Sequence, residues 1–197
     1  MKTALSICLV FSITIETGSC LVCQKCNDLI GRNCTEPSNE TCASSVKSCL
    51  TNLVATKIGG KFYEFVTKFC ATNPILCHMT YNVSNGIESY NVAKCCGGDL
   101  CNNGSITLPP INRTENGVQC PGCFAKAENC TPTQNIKCRG PQTKCYTFSG
   151  GIYNGTQFER WSHQGCTTEN VCGHRAPTYP ETLLQDGYTL TCSDPKP

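Results

Sequence analysis

Twenty cysteines and three histidines are the residues of this 197-residue chain whose types and spacing could do chemistry. Cys-x2-Cys occurs at Cys23/Cys26 and Cys120/Cys123, a spacing that suits tetrahedral thiolate zinc as well as disulfides. His78, His163 and His174 form neither H-x-x-x-H nor H-E-x-x-H, and no G-x-S-x-G, P-loop or dinucleotide fingerprint occurs. The acids Glu36, Glu40, Glu64, Glu88, Asp99, Glu115, Glu128, Glu159, Glu169 and Asp186 stand singly, without an EF-hand loop. The compartment decides between zinc and disulfides. Lys2, the apolar run Ala4 to Ile15 and the small residues Gly18-Ser19 before Cys20 read as a secretory signal over residues 1–20. Secretion favours disulfides, and cysteines committed to bridges supply no thiolate nucleophile. The expectation is a secreted, extracellular non-enzyme with no catalytic, cofactor or metal residues.

The signal takes Cys8 and Cys20 with it, leaving 18 cysteines in register. Cys23, Cys26, Cys34, Cys42, Cys49, Cys70, Cys77 and Cys95 recur as Cys120, Cys123, Cys130, Cys138, Cys145, Cys166, Cys172 and Cys192, at offsets of 95 to 97 residues. The first copy adds Cys96 and Cys101, and the second lacks them. This duplication divides the chain into a first domain at 21–104, a linker at 105–119 and a second domain at 120–197. Leu108-Pro109-Pro110 and Asn116-Gly117 give the join its linker composition. Ten and eight are even counts, so no cysteine is left for an intermolecular bridge. No run approaches a membrane span after the signal, and the polar tail Thr191 to Pro197 predicts no lipid anchor. A net charge of +2 argues against nucleic acid as partner.

The elements that must carry these cysteines are strands. Phe62 to Phe69 is aromatic and β-branched, with Gly59-Gly60 before it and Leu50 to Val54 upstream. In it Tyr63, Phe65, Thr67 and Phe69 share one face, and Phe62, Glu64, Val66 and Lys68 the other. The second copy repeats this as Tyr146-Thr147-Phe148, a Gly150-Gly151 region, then Gln157 to Trp161. Met79 to Val83 and Glu88 to Val92 flank Asn85-Gly86, a strong hairpin signal. His78 and His174 follow close behind the seventh cysteine of each copy and are expected to begin a third-finger strand, exposed. No segment holds a 3.6-residue apolar period, so the class is all-β. Copies this small have a marginal core, and bridges of about 2–4 kcal/mol each supply the remedy.

Cysteines clustered at the domain ends with long gaps between them imply hairpins projecting from a knotted hub. This pattern, with Cys23-x2-Cys26 and the ending Cys95-Cys96-Gly97-Gly98-Asp99-Leu100-Cys101-Asn102, resembles tandem three-finger (snake-toxin-like) domains of the urokinase-receptor family over residues 21–192. The resemblance implies the pairs Cys23–Cys49, Cys26–Cys34, Cys42–Cys70, Cys77–Cys95 and Cys96–Cys101. In the second copy it implies Cys120–Cys145, Cys123–Cys130, Cys138–Cys166 and Cys172–Cys192. The ten-cysteine copy, the junction Asn112 to Cys123 and the eight-cysteine copy together are similar to the gamma-type phospholipase A2 inhibitors. That resemblance implies a secreted, two-domain inhibitor of phospholipase A2 that binds its enzyme non-covalently and forms homo-oligomers in some relatives. The sodefrin-precursor-like courtship pheromones share the layout, so a secreted signalling ligand, or a non-inhibitory extracellular binding module, is the alternative.

Function then rests on surface. Expected partner anchors are Phe62, Tyr63 and Phe65 in the first copy and Tyr153, Phe158, Arg160 and Trp161 in the second, because aromatic residues and arginine dominate interface energetics. Half of such aromatics pack inward when strand faces alternate. The apolar stretch Ile106 to Ile111 is a further candidate for partner or interdomain contact. Sequons at Asn39, Asn82, Asn103, Asn112 and Asn154 are candidate glycosylation sites, and those at Asn33 and Asn129 hold a cysteine in the middle. Asn112, in the linker, is the foremost, and a glycan there would screen that side from partners.

Overall fold

The computed structural model describes residues 20–28, 31, 33–58, 61–78, 81–84, 87–154, 157–172, 182–184 and 187–195. Most of the expected signal, Gly59-Gly60, Met79-Thr80, Asn85-Gly86 and His174 lie outside these residues, as do the side chains of His78, Asn82, Tyr153 and Asn154. Cys20 is exposed and unbridged.

The architecture is antiparallel β throughout, with no α-helix among the described residues. The first copy contributes β1 (Val22–Asp28), β2 (Ser38–Thr41), β3 (Cys49–Ile58), β4 (Lys61–Cys70), β5 (Tyr81–Ser84) and β6 (Glu88–Cys96). The second contributes β7 (Glu115–Ala125), β8 (Gln134–Arg139), β9 (Lys144–Asn154), β10 (Gln157–Thr167), β11 (Thr182–Leu184) and β12 (Thr189–Ser193). β7 therefore begins inside the stretch expected to be linker. In the first copy β3 is central, paired with β4 and β6, while β1 joins β4 to β2. In the second, β9 takes β10 on one side and β11 and β12 on the other, and β7 joins β10 to β8.

Nine disulfides close the hubs at the finger bases. The pairs are Cys23–Cys49, Cys26–Cys34, Cys42–Cys70, Cys77–Cys95 and Cys96–Cys101, then Cys120–Cys145, Cys123–Cys130, Cys138–Cys166 and Cys172–Cys192. Two bridges touch in each hub, with Cys23 and Cys42 sulfurs 3.3 Å apart and Cys120 and Cys138 sulfurs 3.5 Å apart. The sulfur triads Cys23/Cys42/Cys70 and Cys120/Cys138/Cys166 are close enough to suggest a metal site, but every member is bonded to another sulfur.

The copies are not separate beads. Ser84 and Val83 of β5 pair with Cys166 and Thr167 of β10, so the last finger of the first copy abuts the base of the second. The largest apolar cluster likewise holds Leu50, Ala71, Leu76 and Val83 from the first copy with Tyr146, Phe148, Ile152, Trp161 and Val171 from the second.

Three local expectations are corrected. Gly150-Gly151 lies inside β9, opposite Trp161 and Arg160, and the β9–β10 pairing runs on to Asn154 opposite Gln157. Its role is close packing: a Cβ on Gly150 would stand 2.7 Å from the Cβ of Tyr188 and 3.0 Å from the Phe148 ring. His78 ends a 3-10 turn, Pro74–His78, rather than opening a strand. The alternation along β4 also fails at its centre, where Phe65 and Val66 are both buried. Gly31, in the β1–β2 connection, bridges to Phe65 and donates its N–H to the Glu64 carbonyl at 2.8 Å, extending the pairing along this edge of β4.

Candidate partner-binding surface

The seam between the copies is built from charged and aromatic groups on neighbouring strands. Antiparallel pairing sets Lys57 of β3 opposite both Phe62 of β4 and Glu88 of β6, with Tyr90 two residues further along. Phe62 lies 6.4 Å from the Tyr90 ring, and the Arg113 guanidinium sits 5.8 Å over Phe62. Tyr90 donates its hydroxyl to Glu88 Oε2 at 3.1 Å, and Glu88 Oε1 accepts Arg139 of β8 at 3.0 Å. Burial and then the Glu88 carboxylate raise the Tyr90 phenol above its ordinary value, against a smaller opposing effect of Arg113. Ser84 Oγ donates to Gln142 Oε1 across the same seam at 3.3 Å, and Gln142 Oε1 also accepts the Arg139 N–H at 2.9 Å.

The connecting segment lies along this seam. Gly140, at φ +52°, lets it approach, since a Cβ there would stand 2.7 Å from the Asn112 carbonyl oxygen. Two clefts adjoin across Tyr90 and Asn112. One, of about 480 Å³, is lined by Leu108, Pro109, Pro110 and Ile111 with Pro141. The other, of about 340 Å³, is polar and holds Glu88, Glu115, Lys137 and Arg139.

The expected anchors divide. Phe62 and Tyr63 are exposed at 42% and 49%, at the tip end of β4 beside the seam. Phe158 is 48% exposed at the far finger of the second copy, with Arg160 exposed and paired to Glu128 at 3.3 Å. Phe65 and Trp161 are corrected: both are buried and offer no face to a partner. Trp161 packs edge-on against Phe124 at 5.3 Å and donates its indole N–H to Glu159 at 2.6 Å, with Lys126 over the ring. The Tyr153 side chain lies outside the described residues. Of the sequons, Asn39, Asn103 and Asn112 are exposed, and Asn112 Oδ1 accepts the Thr114 N–H at 3.0 Å.

Tyr90, Glu88, Arg113 and Arg139 carry no spacing signal, because their contact depends on how two distant copies meet. His163 is likewise unmarked in the sequence, yet it is fully buried. Its Nδ1 lies 3.0 Å from Tyr146 Oη, and Phe148 stacks on it at 4.5 Å. Burial pushes it down to about 3, whereas an unfolded-chain histidine titrates near 6.5. Between those values the unfolded chain binds a proton that the folded chain refuses. The stabilisation is therefore complete above about pH 6.5 and declines toward pH 3, by up to about 1.4 kcal/mol per unit. His163→Gln is expected to flatten that slope when urea midpoints are followed through acid pH. An unchanged slope would assign the acid sensitivity elsewhere.

With the disulfide hubs and the fingers placed, comparison with known proteins settles the family. Residues 19–104 and 116–194 match the u-PAR/Ly-6 domain. The chain belongs to the u-PAR/Ly-6 family. A phospholipase A2 inhibitor gamma subunit of Elaphe quadrivirgata is 32% identical to it over 183 residues, 87% of this chain and 86% of that protein. Phospholipase A2 inhibitor NAI of Notechis ater is 30% identical over 181 residues, with the same shares. Protein RoBo-1 of Rattus norvegicus is 26% identical over 177 residues, 87% of this chain and 71% of its own. Mouse TEX101, a solved structure, is 16% identical with a TM-score of 0.37, over 88% of this chain and 99% of its own. Two of these relatives are named as inhibitors of an enzyme, phospholipase A2. No helix among the described residues is long and apolar enough to cross a membrane.

Proposed function

We propose that the protein is a secreted, non-enzymatic inhibitor of phospholipase A2 that acts by non-covalent occlusion, with the exposed end of β4, Phe62 on its seam side and Tyr63 on the other, meeting the enzyme. The observation that carries the reading is the likeness of nearly the whole two-domain chain to proteins named phospholipase A2 inhibitors. The geometry supports the choice of face. Phe62 and Tyr63 are exposed aromatics on a hairpin tied to the second copy through Tyr90, Glu88 and Arg139, so little order is lost when a partner docks. Asn112 stands between the two clefts, so a glycan on it narrows the partner's access to the exposed rings.

The test is hydrolysis by a secreted phospholipase A2 titrated with the purified protein. Inhibition is expected to reach its end point near stoichiometric protein. Phe62→Ala combined with Tyr63→Ala is expected to weaken it about tenfold or more, the cost of losing interface aromatics. Unaltered hydrolysis at micromolar protein with several such enzymes would remove the inhibitor reading. Full inhibition by the double variant would remove only the exposed end of β4 as the docking surface.

A further inference from the structure

We infer that the cleft between the first finger and the start of the connecting segment is a binding site for one carboxylate group, received by the ammonium of Lys68. Lys68 is only 6% exposed. Its Nζ donates to Gln24 Oε1 at 2.7 Å and to the Gly104 carbonyl at 2.9 Å. Both acceptors are neutral, and an ammonium has three hydrogens to give. Among the described residues no carboxylate forms an ion pair with it. A buried charge is costly unless an opposite charge reaches it, and here burial pulls the Lys68 ammonium below the ordinary lysine range.

The side chain lines a cleft of about 210 Å³ that also holds Gln24, Asn33, Asn103 and Ser105. Amide and hydroxyl groups there supply donors for the oxygens of an anion, and among the described residues no acid lines the cleft. A carboxylate entering it would form a charge-assisted bond with the remaining ammonium hydrogen.

The second copy shows that the fold itself does not require this charge. Lys68 of β4 faces Cys26 of β1, and at the matching register Gln164 of β10 faces Cys123 of β7. Gln164 Nε2 approaches the Cys130 carbonyl at 3.5 Å, so a neutral amide fills the equivalent place. The positive charge is a property of the first copy alone.

The carboxylate could belong to an aspartate or glutamate of a protein partner or to a free small acid, and the experiment separates them. The intact, isotope-labelled protein is titrated with sodium acetate against sodium chloride at equal ionic strength, followed by amide NMR. Saturable shifts are expected at Gln24, Asn103, Gly104 and Ser105. Lys68→Gln, which copies the neutral amide of the second domain, is expected to fold and to abolish them, and Lys68→Arg to retain them. Shifts that rise linearly with acetate, or that persist in Lys68→Gln, would overturn the site. A short peptide with blocked ends and a single aspartate then competes with acetate. Competition assigns the site to an acidic side chain, and acetate saturation without competition assigns it to a free acid. Neither readout depends on phospholipase inhibition, so the site and the proposed function fail separately.

Discussion

Asn102→Ala is expected to cost about 3–5 kcal/mol of stability, centred on the first hub. The Asn102 side chain is buried and works as a clamp on two strands. Its Oδ1 accepts the Gln24 N–H at 2.8 Å, while its Nδ2 donates to the Gln24 carbonyl at 2.9 Å and the Leu50 carbonyl at 3.2 Å. Alanine strands three backbone groups, each worth about 1–3 kcal/mol when buried without a partner, and Gln24 recovers part of that because water reaches it. The Cys96–Cys101 bridge sets the clamp in place, together with Leu100, which sits at φ +52° and donates its N–H to the Val22 carbonyl at 2.7 Å. The second copy has Ser193 where the first has Cys96, so it lacks that bridge, and it treats the same strand position by subtraction. The residue at the register of Gln24 is Pro121, which has no N–H to satisfy. Pro121 is exposed, so Pro121→Gln adds an N–H that water reaches and is expected to change stability by no more than about 1 kcal/mol, well below Asn102→Ala. Denaturant midpoints with disulfides intact, read beside amide exchange at Gln24 and its neighbours, test both variants. An Asn102→Ala protein with an unchanged midpoint would show that water, not Asn102, satisfies these groups.

The contrast shows what could be read in advance. The duplication, the all-β class and the strands of the long gaps are legible because cysteine spacing and β-branched runs are local marks. So is the exposure of Phe62, Tyr63 and Phe158, which lie toward the ends of their strands, away from the disulfide hubs. Burial of Phe65 and Trp161 is not legible in the same way. Alternation says which residues share a face, not what will cover it; Phe124 of β7 reaches the Trp161 ring from another strand. Gly150-Gly151 stands between two strand runs in the sequence yet lies within β9 for a similar reason: glycine marks close approach as well as reversal, and the sequence does not show Tyr188 arriving on top of it. The seam groups Glu88, Tyr90, Arg113 and Arg139 are the extreme case, since each is an ordinary surface residue until the two copies are brought together.

Whether those copies act as one body is the claim with the broadest consequence, and Phe148→Ala addresses it. The ring is fully buried, stacked on His163 and 6.1 Å from Tyr188, so truncation is expected to cost about 3–5 kcal/mol. The expected result is that this loss is shared by the first copy. Phe148 belongs to the cluster that also holds Leu50, Ala71, Leu76 and Val83, and domains of this size bury little apolar surface alone. The exposed Arg139–Glu88 pair does not provide the coupling, because such ion pairs contribute about 0–1 kcal/mol. The shared apolar cluster and the β5–β10 pairing do. Unfolding with disulfides intact should therefore be a single transition, and Phe148→Ala should speed amide exchange in β3 and β6 as well as in β9 and β10. Faster exchange confined to β9 and β10, with β3 and β6 untouched, would show two independent domains. The rigidity that holds Phe62 beside Tyr90 and Arg113 would then have to come from the first copy alone.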